Sequence, residues 1–179
     1  MKKKLAKGCV LILIAAVAAA MTFSAYSADS KKKLSDEDEK KYDLAYESAL
    51  AHYERANLLY KKDKLDETVK ELQIIVDLNF PKGTEDREGF LLQLDTRSFL
   101  AELLLKKGQP EKAVDVLKPG IKAAPDVSQQ TYQLYMTLGH VYKEMKKTDE
   151  ALTAFEKASK INETLRKQKE AEDKKKSGK

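Results

Sequence analysis

Chemistry in this sequence would have to start from very few side chains. Its only histidines are His52 and His140. A metal site would need further ligands at helical spacing beside them, and the HExxH arrangement is missing. No Gly-rich phosphate loop and no GxSxG nucleophile elbow occurs. The single cysteine, Cys9, lies in the N-terminal leader, so the rest of the chain has no thiol nucleophile and no disulfide framework. Acids such as Glu37, Asp38 and Glu39 form a charge run, which reads as a solvated face. The expectation is a protein that is not an enzyme, with no catalytic residue, no metal and no cofactor.

Charge narrows the choice of partner. The formal charge is +5, but Lys2, Lys3, Lys4 and Lys7 sit in a leader without acids, and beyond it 30 bases face 29 acids. A body so close to neutral, with its basic surplus gathered in residues 166–179, lacks the basic stripe that nucleic acid requires. The same tail, with Lys167, Lys169 and Lys174 to Lys176, leaves a contact with an anionic lipid or polymer as a rival reading. Glu170, Glu172 and Asp173 interrupt it.

Residues 1–28 have the form of a secretory signal peptide: a lysine-rich start, an apolar run from Val10 to Ala20 too short to span a bilayer comfortably, and small residues around Ala25 and Ser27. The cut falls before or after Ala28. An uncleaved anchor is the alternative, and it would be the chain's only contact with a membrane. Cys9 precedes the apolar run rather than following it, which argues against lipidation. The expected destination is the periplasm of a bacterial cell. Residues 29–40 are polar and are expected to form a flexible tether, with Ser35 capping the first helix.

Helical hairpins occupy the remainder. From Tyr132 to Glu163 the apolar and small residues Tyr135, Leu138, Gly139, Tyr142, Ala151, Phe155 and Ala158 fall at the spacing of two antiparallel helices packed face to face. Gly139 lets the second helix approach, and Thr148 is the expected cap of that helix. This stretch resembles the tetratricopeptide repeat, with Tyr135 where the family has Trp and Glu163 where it often has Pro. Two further repeats align with it. Ala101, Leu104, Ala113, Leu117, Gly120 and Pro125 make the second; Ala56, Leu59, Thr68 and Leu72 make a degenerate first one. The helices expected for these two run from Lys41 to about Lys62, from Asp66 to about Leu78, up to Lys107 after a cap at Thr84, and from Pro110. The register points Thr68, Ala113 and Ala151 are 45 and 38 residues apart.

The resemblance implies an all-α fold: a short right-handed solenoid of three hairpins over residues 41–165, with repeats near 49–80, 94–125 and 132–163. An extended last helix should reach about Ala171, and residues 166–179 should form a charged tail that frays from Lys174. It also implies a concave face lined by the first helix of each repeat. By register, that face carries Leu50, Tyr53, Asn57 and Tyr60, then Asp95, Ser98, Glu102 and Leu105, then Gln133, Met136, His140 and Lys143. The implied partner is a protein, bound as a peptide or a helix. The Lys/Asn clamp by which some relatives hold a C-terminal carboxylate is not reproduced, because Tyr53, Phe99, Gln133 and Thr137 stand at its positions. Self-association through Ile161 and Leu165 at the open C-terminal end, giving a homo-oligomer, is the other reading.

Overall fold

The computed structural model describes residues 34–178, so the leader and the first part of the expected tether lie outside the described residues. Six helices follow in order: α1 (Asp36–Lys61), α2 (Leu65–Asp77), α3 (Glu88–Lys106), α4 (Pro110–Ala123), α5 (Gln129–Glu144) and α6 (Thr148–Ser177). Antiparallel pairs α1/α2, α3/α4 and α5/α6 form three hairpins. They stack because α3 packs on α1, α2 and α5, and α4 packs on α5. No strand occurs among the described residues.

Each hairpin closes with the same turn. Asp63, Gly108 and Lys146 have φ of 57°, 71° and 59°. Behind them, the amides of Lys64, Gln109 and Lys147 donate to the carbonyls of Leu59, Leu104 and Tyr142 at 2.9 to 3.0 Å. A left-handed residue with this backward bond is the Schellman motif, which satisfies carbonyls orphaned at a helix end. Its three left-handed residues repeat the 45- and 38-residue spacing of the register points. Only the second turn uses glycine, so the other two carry the steric cost of a Cβ in that region. Lys146→Gly is expected to raise stability by roughly 0.5–1 kcal/mol; an unchanged or lower urea midpoint would contradict it.

Packing repeats with the same register. Thr68, Ala113 and Ala151 are buried, as are Ala56, Ala101 and Gly139 opposite them, and Leu72 and Leu117 are fully enclosed. Thr68 fits an alanine position because its hydroxyl donates to the Lys64 carbonyl at 2.9 Å and leaves no unpaired polar atom.

Four boundaries differ from the sequence reading. Helix α1 opens at Asp36, so residues 36–40 are helix rather than tether. Ser35 caps it as expected, accepting from the Asp38 amide at 3.1 Å. The early start is anchored: Glu39 receives two bonds from Arg87 at 2.7 and 3.1 Å, and Arg87 lies 4.8 Å over the Tyr42 ring. The Tyr42 hydroxyl accepts from the Gly89 amide at 3.0 Å, capping α3 from a distance. Thr84 is not the cap of α3, because it is buried and donates to the Pro81 carbonyl; Arg87 holds that position. Thr148 is the first residue of α6 rather than its cap. Finally, α6 runs past Ala171 to Ser177, in part on i,i+4 pairs such as Lys167 with Glu163 at 2.7 Å.

Loop 79–87 docks on α1 instead of standing free. Phe80 packs against Tyr42, with centroids 5.7 Å apart. A Cβ on Gly89 would lie 2.7 Å from the Phe80 ring, so only glycine lets the start of α3 reach this corner. Tyr46 donates to Glu88 at 2.8 Å; burial first, and that carboxylate second, push its phenol up to about 12.

Candidate functional site

The face expected to receive a partner is made by α1, α3 and α5, which lie side by side through the α1–α3 and α3–α5 contacts. Leu50, Tyr60, Asp95, Glu102, His140 and Lys143 are exposed on it, and Tyr53, Asn57, Leu105, Gln133 and Met136 are half-buried. Ser98 is different. It is 3% exposed, so it is packed into the stack and presents nothing to a partner. A small hydroxyl suits the close packing around α3, where a longer side chain would hold neighbouring helices apart.

Aromatic contacts organise one end of the face. Tyr60 meets Phe99 edge-on with centroids 5.4 Å apart, and the Lys106 ammonium lies 6.0 Å from the Tyr60 ring. Phe99 was placed in the sequence reading only as a departure from the carboxylate clamp. Its spacing on α3 puts it between Asp95 and Glu102, the signal that could have found it. At the other end, His140 sits edge-on to Phe155 at 5.2 Å. His52 turns away from this face: its Nδ1 is 2.7 Å from Glu71 Oε2, and Arg55 reaches the other carboxylate oxygen at 2.9 Å.

Two carboxylates stand near the middle. Asp95 and Glu102, two turns apart on α3, are both exposed, yet protein walls around them withdraw water and raise both pKa values. For Asp95, burial outweighs the opposing bond from the Gln130 amide at 3.4 Å. In pH terms, both groups hold their protons more tightly folded than unfolded. Desolvation therefore opposes the fold fully at pH 7, and stability is regained as pH falls through the raised values into the ordinary carboxylate range. Replacing Asp95 with Asn and Glu102 with Gln is expected to leave the domain at least as stable at pH 7 and to weaken that gain. Urea titrations at pH 7 and at about pH 4.5 would read it, and a marked loss of stability at pH 7 would contradict it.

No group of three or more His, Cys, Asp or Glu side chains placed to hold a metal occurs among the described residues. An indentation lined by Val69, Gln73, Leu104, Lys107 and Val116 lies away from the α1–α3–α5 face and is open to solvent. At the C-terminal end, Ile161 is 9% exposed and belongs to the core of its own hairpin, which leaves only Leu165 of the two apolar residues expected to pack on a second copy.

Residues 132–165 match a family model described as a tetratricopeptide repeat. No curated protein matches the chain. The matched segment contains most of α5 and the first part of α6, and the first two hairpins follow its register of small residues, bulky residues and closing turns. On that match, residues 132–165 hold a tetratricopeptide repeat, and the all-α stack of three hairpins is consistent with a helical repeat fold of that kind.

Proposed function

We propose that this chain is a non-catalytic adaptor of the bacterial envelope, whose α1–α3–α5 face takes up a peptide or a partner helix bearing a basic side chain. The tetratricopeptide repeat is a protein–protein interaction module, which supports binding in general. The observation that carries the finer reading is the pair Asp95 and Glu102, exposed on α3 yet with enough protein around them to raise both pKa values. A cation arriving beside either carboxylate would pair with it in surroundings that screen charge less than open water does, so the attraction is stronger than on a flat surface. Tyr60, Phe99 and Met136 supply adaptable apolar contact on either side. Export rests on the lysine-rich leader and its short apolar run.

Affinity capture on the full chain from envelope extract, followed by direct binding of the captured partner's segment, tests the proposal. Charge reversal by Glu102→Lys should weaken that segment at least about tenfold. Replacing Tyr53, Tyr60 and His140 together should abolish capture; partners retained by both variants would mean that another surface binds. Cell fractionation that finds the chain in the cytoplasm would remove the envelope from the reading. The rival, a basic tail on an anionic polymer or lipid, draws on the exposed last turns of α6. If deleting residues 166–179 left liposome association unchanged, that rival would be finished.

A further inference from the structure

The most exposed large apolar side chains of the fold lie at its other end, on α1. Leu44 is 69% and Leu58 58% exposed, and Ala51, midway between them, is exposed as well. Residues seven apart drift by only about 20° around a helix, so the three form one stripe. That stripe lies roughly opposite Tyr42, Ala49 and Ala56, which α1 buries in the domain. Nothing within the described residues calls for leucine there, because α2 and α3 meet the helix on its other sides through His52, Tyr42 and Tyr60.

The order of side chains along the stripe identifies its occupant. If a second α1 is laid antiparallel with Ala51 on the two-fold axis, Leu44 of each copy meets Leu58 of the other, and Glu47 meets Arg55. Both charged pairs have opposite sign, and the residue on the axis is small. Glu47 is exposed, and Arg55 keeps 65% of its side chain open while bonding Glu71 at 2.9 Å. Such self-complementarity is what an isologous interface requires. Heptad spacing suits a shallow, coiled-coil-like crossing, with leucines meeting across the seam.

We infer that the chain forms an antiparallel homodimer through the Leu44–Ala51–Leu58 stripe of α1, centred on Ala51 and registered by reciprocal Glu47–Arg55 pairs. The contact spans about 21 Å of helix, which is small for a stable interface, and the lysines at 40, 41, 61 and 62 oppose one another beyond its ends. The dimer is accordingly weak and forms at high local concentration. The stripe lies across α1 from Tyr53 and Tyr60, which belong to the face of the proposed function, so the two readings stand or fall independently.

Sedimentation equilibrium of the full chain over a concentration series tests the inference. The parent should self-associate. Leu44→Glu, a change at a side chain already in solvent, should leave helicity and melting intact and give a monomer. Glu47→Arg should raise Kd at least about tenfold by creating two like-charged pairs. With Cys9 changed to serine, Ala51→Cys should form an intermolecular disulfide under mild oxidation, whereas Leu44→Cys alone should not, because antiparallel packing holds the two copies of position 44 apart. A parent that stays monomeric at millimolar concentration overturns the proposal. So does a dimer indifferent to Leu44→Glu or Glu47→Arg, or one cross-linked through position 44 rather than 51.

Discussion

Gly139→Ala is expected to destabilise the domain by roughly 1–2 kcal/mol, even though alanine is the better helix former by about 1 kcal/mol. A Cβ at Gly139 would lie 2.5, 2.7 and 2.8 Å from three atoms of the Phe155 ring, so the ring as a whole must move. It has little room, because His140 closes on it edge-on at 5.2 Å. Overpacking of this kind separates α5 from α6, and Gly139→Val should cost more, on the order of 3 kcal/mol. Urea denaturation would show a lower midpoint at unchanged slope. Pairing Gly139→Ala with Phe155→Leu should recover much of the loss, since the smaller side chain vacates the space. A Gly139→Ala domain more stable than the parent would mean that the helices are not held at this distance.

Gln93→Leu should cost roughly 1–3 kcal/mol, although it exchanges a buried polar residue for an apolar one of similar volume. Gln93 is 6% exposed, and its amide nitrogen lies 3.0, 3.1 and 2.7 Å from the carbonyl oxygens of Ile75, Val76 and Leu78. These carbonyls lie where α2 stops; Ile75 also accepts from the Leu78 amide at 3.2 Å, so leucine at 93 would cost the Leu78 carbonyl its donor and thin the bonding of the other two. Arg97, one turn further along α3, adds a bond to the Val76 carbonyl at 3.1 Å and another to Val116 at 3.1 Å. Gln93→Glu separates loss of the donor from loss of shape. Ionised glutamate can only accept, so that variant should be weakest near neutrality and recover as acid restores an O–H donor. If Gln93→Leu melted with the parent, the junction would not depend on this amide.

How much of this was legible without coordinates depends on the range of the interaction concerned. The hairpins were legible, because Ala151, Phe155 and Ala158, and their equivalents at Ala113, Leu117 and Gly120, recur at helical spacing and meet partners inside one repeat. The clamp by Gln93 was not, since nothing in a glutamine announces which carbonyls will stop beside it; those lie 15 to 18 residues back in the chain. The start of α1 was missed for a similar reason: Glu39 looks like one more solvated acid until Arg87, 48 residues later, is folded against it. Cap assignments at Thr84 and Thr148 failed because a local preference was overridden, in one case by the loop's own carbonyl and in the other by the Schellman turn that delivers Lys147 to the cap position. On the face expected to bind a partner, register could not tell that Ser98 is enclosed, since that depends on how closely the neighbouring helices approach α3.

The two junctions between hairpins are fastened unequally. The first carries Gln93, Arg97, Tyr42 and the Glu39–Arg87 pair, whereas the short link from Ala124 to Ser128 has chiefly the Thr131 hydroxyl on the Pro125 carbonyl and the long Gln130–Asp95 bond. Directed polar bonds therefore hold the first junction, whereas packing of α3 and α4 on α5 holds the second, so one domain joins its repeats by two different kinds of force.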